Sequence, residues 1–166
     1  RLIASADAEG YNTEFMIGNA LGFESLEVTQ PNELTQYQEF APDIVIAALG
    51  ANVSGDNASA FLPLYEQFIR DIGAQKNIIV STIWGPEEFW TGIKESSENN
   101  AWAFVDCRTK STPSNGGGTL DMDFGSWSAM NKLGDNSVGW HPGDTGMKLY
   151  AEQIWSEQLK DTIAEV

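Results

Sequence analysis

The sequence predicts an α/β protein built on a mainly parallel sheet, and three observations carry that expectation. Short apolar runs alternate along the chain with stretches whose apolar residues recur at helical spacing. The strongest run, Asp43 to Leu49, is β-branched at its centre and has no polar alternation, the pattern of a strand covered on both faces. Polar, glycine-bearing segments follow such runs, at the edge where open α/β sheets bind ligands.

Each element follows from its own residues. Arg1 to Gly10 reads as the end of a helix leading through Tyr11-Asn12-Thr13 into a short strand, Glu14 to Ile17. Part of Gln30 to Phe40 reads as a weak helix. Pro42 precedes the Asp43–Leu49 strand and Gly50 ends it. From Ser59 to Ile72, the residues Phe61, Tyr65, Phe68, Ile69 and Ile72 fall on one helical stripe. Gly73 to Lys76 then turns into a second strand, Asn77 to Ile83, and Ala101 to Val105 reads as a third. A closing helix is expected from about Thr145, with Met147, Tyr150, Ala151, Ile154 and Gln158 on one face and Asp144 at its N-cap. Lys110 to Asn136 has little periodicity and holds Gly116-Gly117-Gly118, so it reads as a long functional loop.

Composition narrows the classes. The 166 residues suit one domain with a single core, and no apolar run is long enough to span a bilayer. The chain opens without the pattern of a signal peptide. With 24 acidic against 9 basic residues the formal charge is -15, which disfavours nucleic-acid and membrane partners and suits an extracellular, periplasmic or virion-surface setting. Cys107 is the single cysteine, expected as a buried core thiol, and no Cys/His cluster offers a metal site. No cofactor is expected.

Three segments can carry chemistry. Gly18-Asn19-Ala20-Leu21-Gly22-Phe23-Glu24-Ser25 holds a glycine that can expose a backbone N–H at a sharp turn, as can any strand-to-helix connection. Gly50-Ala51-Asn52 ends the best strand. Asn52 there reads either as an Asx-type turn residue or as an amide donor to a developing oxyanion. Trp140-His141-Pro142-Gly143-Asp144 precedes the closing helix and contains the only histidine of the chain. His141 reads either as a surface residue or as a general base. The six tryptophans read mainly as core, with Trp84, Trp127 and Trp140 also placed to stack on a sugar ring.

In this order and spacing the three segments resemble the conserved blocks of the SGNH (GDSL-like) serine esterases. Gly22 looks like the second-block glycine, Asn52 like the asparagine of GxN, and His141-Pro142 like the catalytic histidine with its proline. The resemblance implies a flavodoxin-like three-layer α/β/α fold and a single domain over residues 1–166, incomplete at its N-terminus. It further implies a Ser-His acyl transfer with Gly22 and Asn52 in the oxyanion hole. The expected substrate is an acetyl or other short acyl ester of a carbohydrate.

Two positions depart from the family pattern. No GDS sequence occurs, and Ser5 lies too close to Gly22 to replace it, so the serine and its first strand are expected upstream of Arg1 or on another chain. The family's aspartate three residues before the histidine is Val138 here, leaving Asp135 and Asp144 as candidates to orient His141. Two further readings stand beside the esterase. One is an inactive SGNH-like binding or structural module of a larger surface or virion assembly. The other is a flavodoxin-like nucleotide binder, which lacks a glycine-rich phosphate loop after its first available strand.

Overall fold

The computed structural model describes residues 2–18, 21–82, 87–108 and 144–166. Its centre is a three-stranded sheet, β1 (Ile44–Ala47), β2 (Lys76–Val80) and β3 (Ala103–Val105), in the order β1-β2-β3. Both pairings are parallel, with Ile44 opposite Lys76 and Ile78 opposite Ala103. The three strands are the apolar runs expected from the sequence, trimmed at their ends.

Neighbouring residues on each strand point to opposite faces, and each face is buried under helices. Ala47 and Ile79 join one core with residues of α3 (Leu34–Phe40), α4 (Ala58–Ile72) and α5 (Glu87–Asn99). Ile78, Val80 and Val105 join the other, with Tyr150 and Ile154 of α6 (Asp144–Ile154) and Leu2 of α1 (Leu2–Ala8). This is an α/β architecture in which an open parallel sheet carries helices on both sides.

Helix α4 buries the predicted stripe: Phe61, Tyr65, Phe68, Ile69 and Ile72 are all buried. It ends at Gly73, whose φ of 79° supplies the left-handed cap that a side chain would disfavour. A chain of ring contacts runs from Phe23 through Phe61 to Phe89 and Trp90, with centroid separations of 4.8, 5.5 and 5.0 Å. Each such pair adds roughly 0.5–1.5 kcal/mol beyond the area it buries. Phe23 therefore anchors the single turn α2 (Leu21–Glu24) to α4.

The closing helix runs on from α6 through a π-helical stretch, Trp155–Leu159, into α7 (Lys160–Ile163). Lys160 reaches Glu9 at 3.0 Å and Lys76 reaches Glu165 at 2.7 Å. Both pairs are exposed, so they contribute little to stability.

The structure departs from the expectations at two places. Glu14 to Ile17 forms no strand, because no other strand lies beside it to exchange backbone hydrogen bonds among the described residues. Its apolar side chains stay in solvent instead: Phe15 is 60% and Ile17 85% exposed. Helix α6 is described from Asp144 onward, and the side chain of Asp144, expected at the N-cap, lies outside the described residues. Helix α5, absent from the sequence reading, supplies Phe89, Trp90 and Ile93 to the core.

Candidate functional site

The carboxyl ends of the three strands lie along one edge of the sheet. At the first of them the chain leaves β1 through Leu49 and turns at Gly50, whose φ is 124°. A β-carbon at Gly50 would lie 2.1 Å from Cε1 of Phe89, so only glycine fits the turn.

The turn is held by a buried carboxylate. Glu24, 4% exposed at the end of α2, accepts the Gly50 N–H on Oε1 at 2.5 Å. Its Oε2 accepts the Asn52 backbone N–H at 3.2 Å and the Asn52 side-chain amide at 2.5 Å. A buried carboxylate must be satisfied by donors, and here the turn itself supplies three of them. The bridge ties the turn bearing Gly22 to the turn bearing Asn52. The Gly22 carbonyl accepts from Glu27 and Val28, closing α2 into a compact loop.

The ends of β2 and β3 are joined by a second polar cluster. Ser81, 1% exposed, donates to Asp106 Oδ1 at 3.0 Å and accepts the Arg108 N–H at 3.0 Å. Arg108 reaches Glu87 at 3.1 Å, and Gln153 of α6 donates to the Asp106 carbonyl at 3.0 Å. This cluster locks the closing helix against the same edge of the sheet.

Tyr65 lies under the Glu24 bridge, its ring edge-on to Phe89 at 6.0 Å. Burial, and then the nearby negative charge of Glu24, hold its hydroxyl far above the usual tyrosine range, and the buried oxygen has no hydrogen-bond partner among the described residues. Below about pH 10 folded and unfolded chains both keep the phenolic proton. Above that pH only the unfolded chain releases it, so stability falls as pH rises. Tyr65→Phe removes an unsatisfied polar atom while keeping the ring. It should leave stability unchanged or raise it by about 1 kcal/mol. It should also flatten the alkaline loss, as urea unfolding at pH 8 and pH 10.5 would measure.

Of the residues singled out in the sequence, Asn52 is bonded to Glu24, which lies two positions after Gly22 in the turn α2. Ser5 lies inside α1, and Cys107 is fully buried in a core, as expected from the sequence. His141, Asp135, Trp84, Trp127 and Trp140 lie outside the described residues, as does the side chain of Asp144. Trp90 is part of the first core, Trp102 packs against it and Trp155 packs against the second.

The sequence reading missed Glu24, Ser81, Asp106 and Arg108. Ser81 and Asp106 carried a usable signal, since each directly follows an apolar strand. Glu24 carried none, because its partners lie 26 and 28 positions away. Among the described residues no group of three or more His, Cys, Asp or Glu side chains could hold a metal ion. No described helix is long and apolar enough to cross a membrane. No family model, curated protein or solved structure matches the chain.

Proposed function

We propose that this chain is the greater part of an SGNH-type ester hydrolase that removes acetyl or other short acyl groups from a carbohydrate. The observation that supports this reading is the Glu24 bridge, which bonds the turn containing Gly22 to Gly50 and Asn52 at the carboxyl edge of a parallel sheet. That edge is where such sheets do their chemistry.

The reading needs a serine, and β1 leaves room for the strand that would carry it. One side of β1 has no hydrogen-bonded neighbour among the described strands, and Ile46 on it is 38% exposed. Among the described residues, Phe15, Met16, Ile17 and Ile46 make up most of the exposed large apolar side chains. An apolar strand beside β1, from an upstream segment or another chain, would complete a flavodoxin-like sheet and present a serine next to Asn52.

In the proposed reaction the serine Oγ attacks the ester carbonyl and His141 takes its proton. The N–H groups of the serine and Gly22 and the Asn52 amide hold the oxyanion. Collapse expels the alcohol, which takes the proton from His141, and water then hydrolyses the acyl-enzyme.

A second reading is an inactive module of the same type. It is favoured by Val138 in the usual aspartate position and by a carboxylate already bonded to the Asn52 amide. A fluorophosphonate probe on the natural polypeptide carrying this chain separates the two. Covalent labelling of one serine, with hydrolysis of p-nitrophenyl acetate, is the expected result. Neither labelling nor turnover would leave the module.

A further inference from the structure

We infer that Glu24 is the positioning residue for the Asn52 amide, fixing which way its one uncommitted N–H points; this rests on the hydrolase reading of the site. An asparagine side chain on an exposed turn can rotate about two bonds and present either its oxygen or its nitrogen. Asn52 can do neither freely. One carboxylate oxygen, Glu24 Oε2, holds both its backbone N–H and one proton of Nδ2. The amide oxygen cannot take that place, because two acceptors would then face each other. The second Nδ2 proton is left pointing in a fixed direction.

Glu24 can act as this reference because it is itself immobile. It follows Phe23, which is 1% exposed and wedged against Phe61 and Phe68 at 4.8 and 5.4 Å. Its other oxygen is bonded to the N–H of Gly50, a turn that Phe89 leaves no room to shift. The chain of constraint runs from the aromatic core through Glu24 to a single N–H at the sheet edge.

The negative charge of Glu24 opposes an oxyanion nearby, and this gives the inference a decisive sign. If the carboxylate mattered only through its charge, Glu24→Gln would relieve that repulsion and speed turnover. If it positions Asn52, the new amide sets N–H against N–H at the turn and loosens the donor. The kcat for p-nitrophenyl acetate should then fall by roughly 10- to 100-fold with KM unchanged. In an Asn52→Ala background, Glu24→Gln should cause no further fall, because it acts through a side chain already gone. An unchanged or raised kcat in the folded variant overturns the inference, and so does a further fall in the double variant. If Glu24→Gln does not fold, the same cycle with Glu24→Asp decides by the same criteria.

Amide NMR tests the positioning without any turnover. One of the two Asn52 side-chain protons should exchange slowly in the wild type and quickly in Glu24→Gln; equal exchange in the wild type overturns the inference. A held proton in a polypeptide without esterase activity would instead defeat the hydrolase reading.

Discussion

Replacing Asn52 with alanine in the natural polypeptide is expected to lower kcat for p-nitrophenyl acetate by about 10²–10³-fold, the usual cost of one oxyanion donor. KM should change little, because the amide is engaged only once charge has moved onto the carbonyl oxygen. His141→Ala should cost at least as much, since on this reading no other histidine can replace it. The fold should survive both changes. Asn52 is exposed, and its truncation leaves the Glu24 carboxylate with the backbone N–H groups of Gly50 and Asn52. Circular dichroism and thermal unfolding would confirm intact variants before turnover is compared. An Asn52→Ala enzyme at the wild-type rate would remove this residue from the mechanism. The same rate in His141→Ala would remove the mechanism itself.

The parts of this fold that the sequence reveals are those whose side chains all answer to one environment. The three strands pack helices against both faces of the sheet, so nearly every residue in them is apolar and the run stands out. Helix α4 has one wet and one dry face, and its stripe is correspondingly clean. Helix α5 escapes the same reasoning for two local reasons. Its inward face ends in Ser96 and Ser97, both buried, with Ser97 returning its hydroxyl to the Ile93 carbonyl at 2.7 Å. It also carries Gly92 in its interior, a poor helix former, where a β-carbon would lie 2.7 Å from Leu62 of α4. Close helix packing therefore erased the pattern by which helices are read. Glu14 to Ile17 errs in the opposite direction. Its residues favour a strand, but strand formation needs a partner, and sequence pattern carries no information about whether one is present. The site divides the same way. Gly22 and Asn52 sit in recognisable segments, whereas Glu24, which joins them, is an ordinary acidic residue until the fold brings Gly50 to it.

Gly50→Ala is expected to be the most damaging single methyl group that can be added to the described part of the molecule. Two independent costs meet at this position. A φ of 124° lies where L side chains are rarely found, which costs about 1–3 kcal/mol. The added carbon would also stand 2.1 Å from Phe89 Cε1 and 2.8 Å from Cδ1. Phe89 cannot step aside, because it is 1% exposed and in ring contact with Phe61, Tyr65 and Trp90. Overpacking of this kind costs a further ~1–3 kcal/mol. A combined loss of roughly 2–6 kcal/mol is a large part of the 5–15 kcal/mol that holds a typical domain folded. The melting temperature should drop by roughly 4–24 °C, at about 2–4 °C per kcal/mol for a chain of this size. Gly55→Ala is the control: no atom lies within 4 Å of its added carbon, and its change should stay within about 0.5 kcal/mol. The two costs can be separated by adding Phe89→Leu. If the ring clash dominates, the double variant loses less than the sum of the two single changes; if backbone strain dominates, the losses add. A Gly50→Ala protein as stable as the Gly55→Ala control would mean that β1 does not turn against Phe89 as described. The Glu24 bridge built on that turn would fall with it.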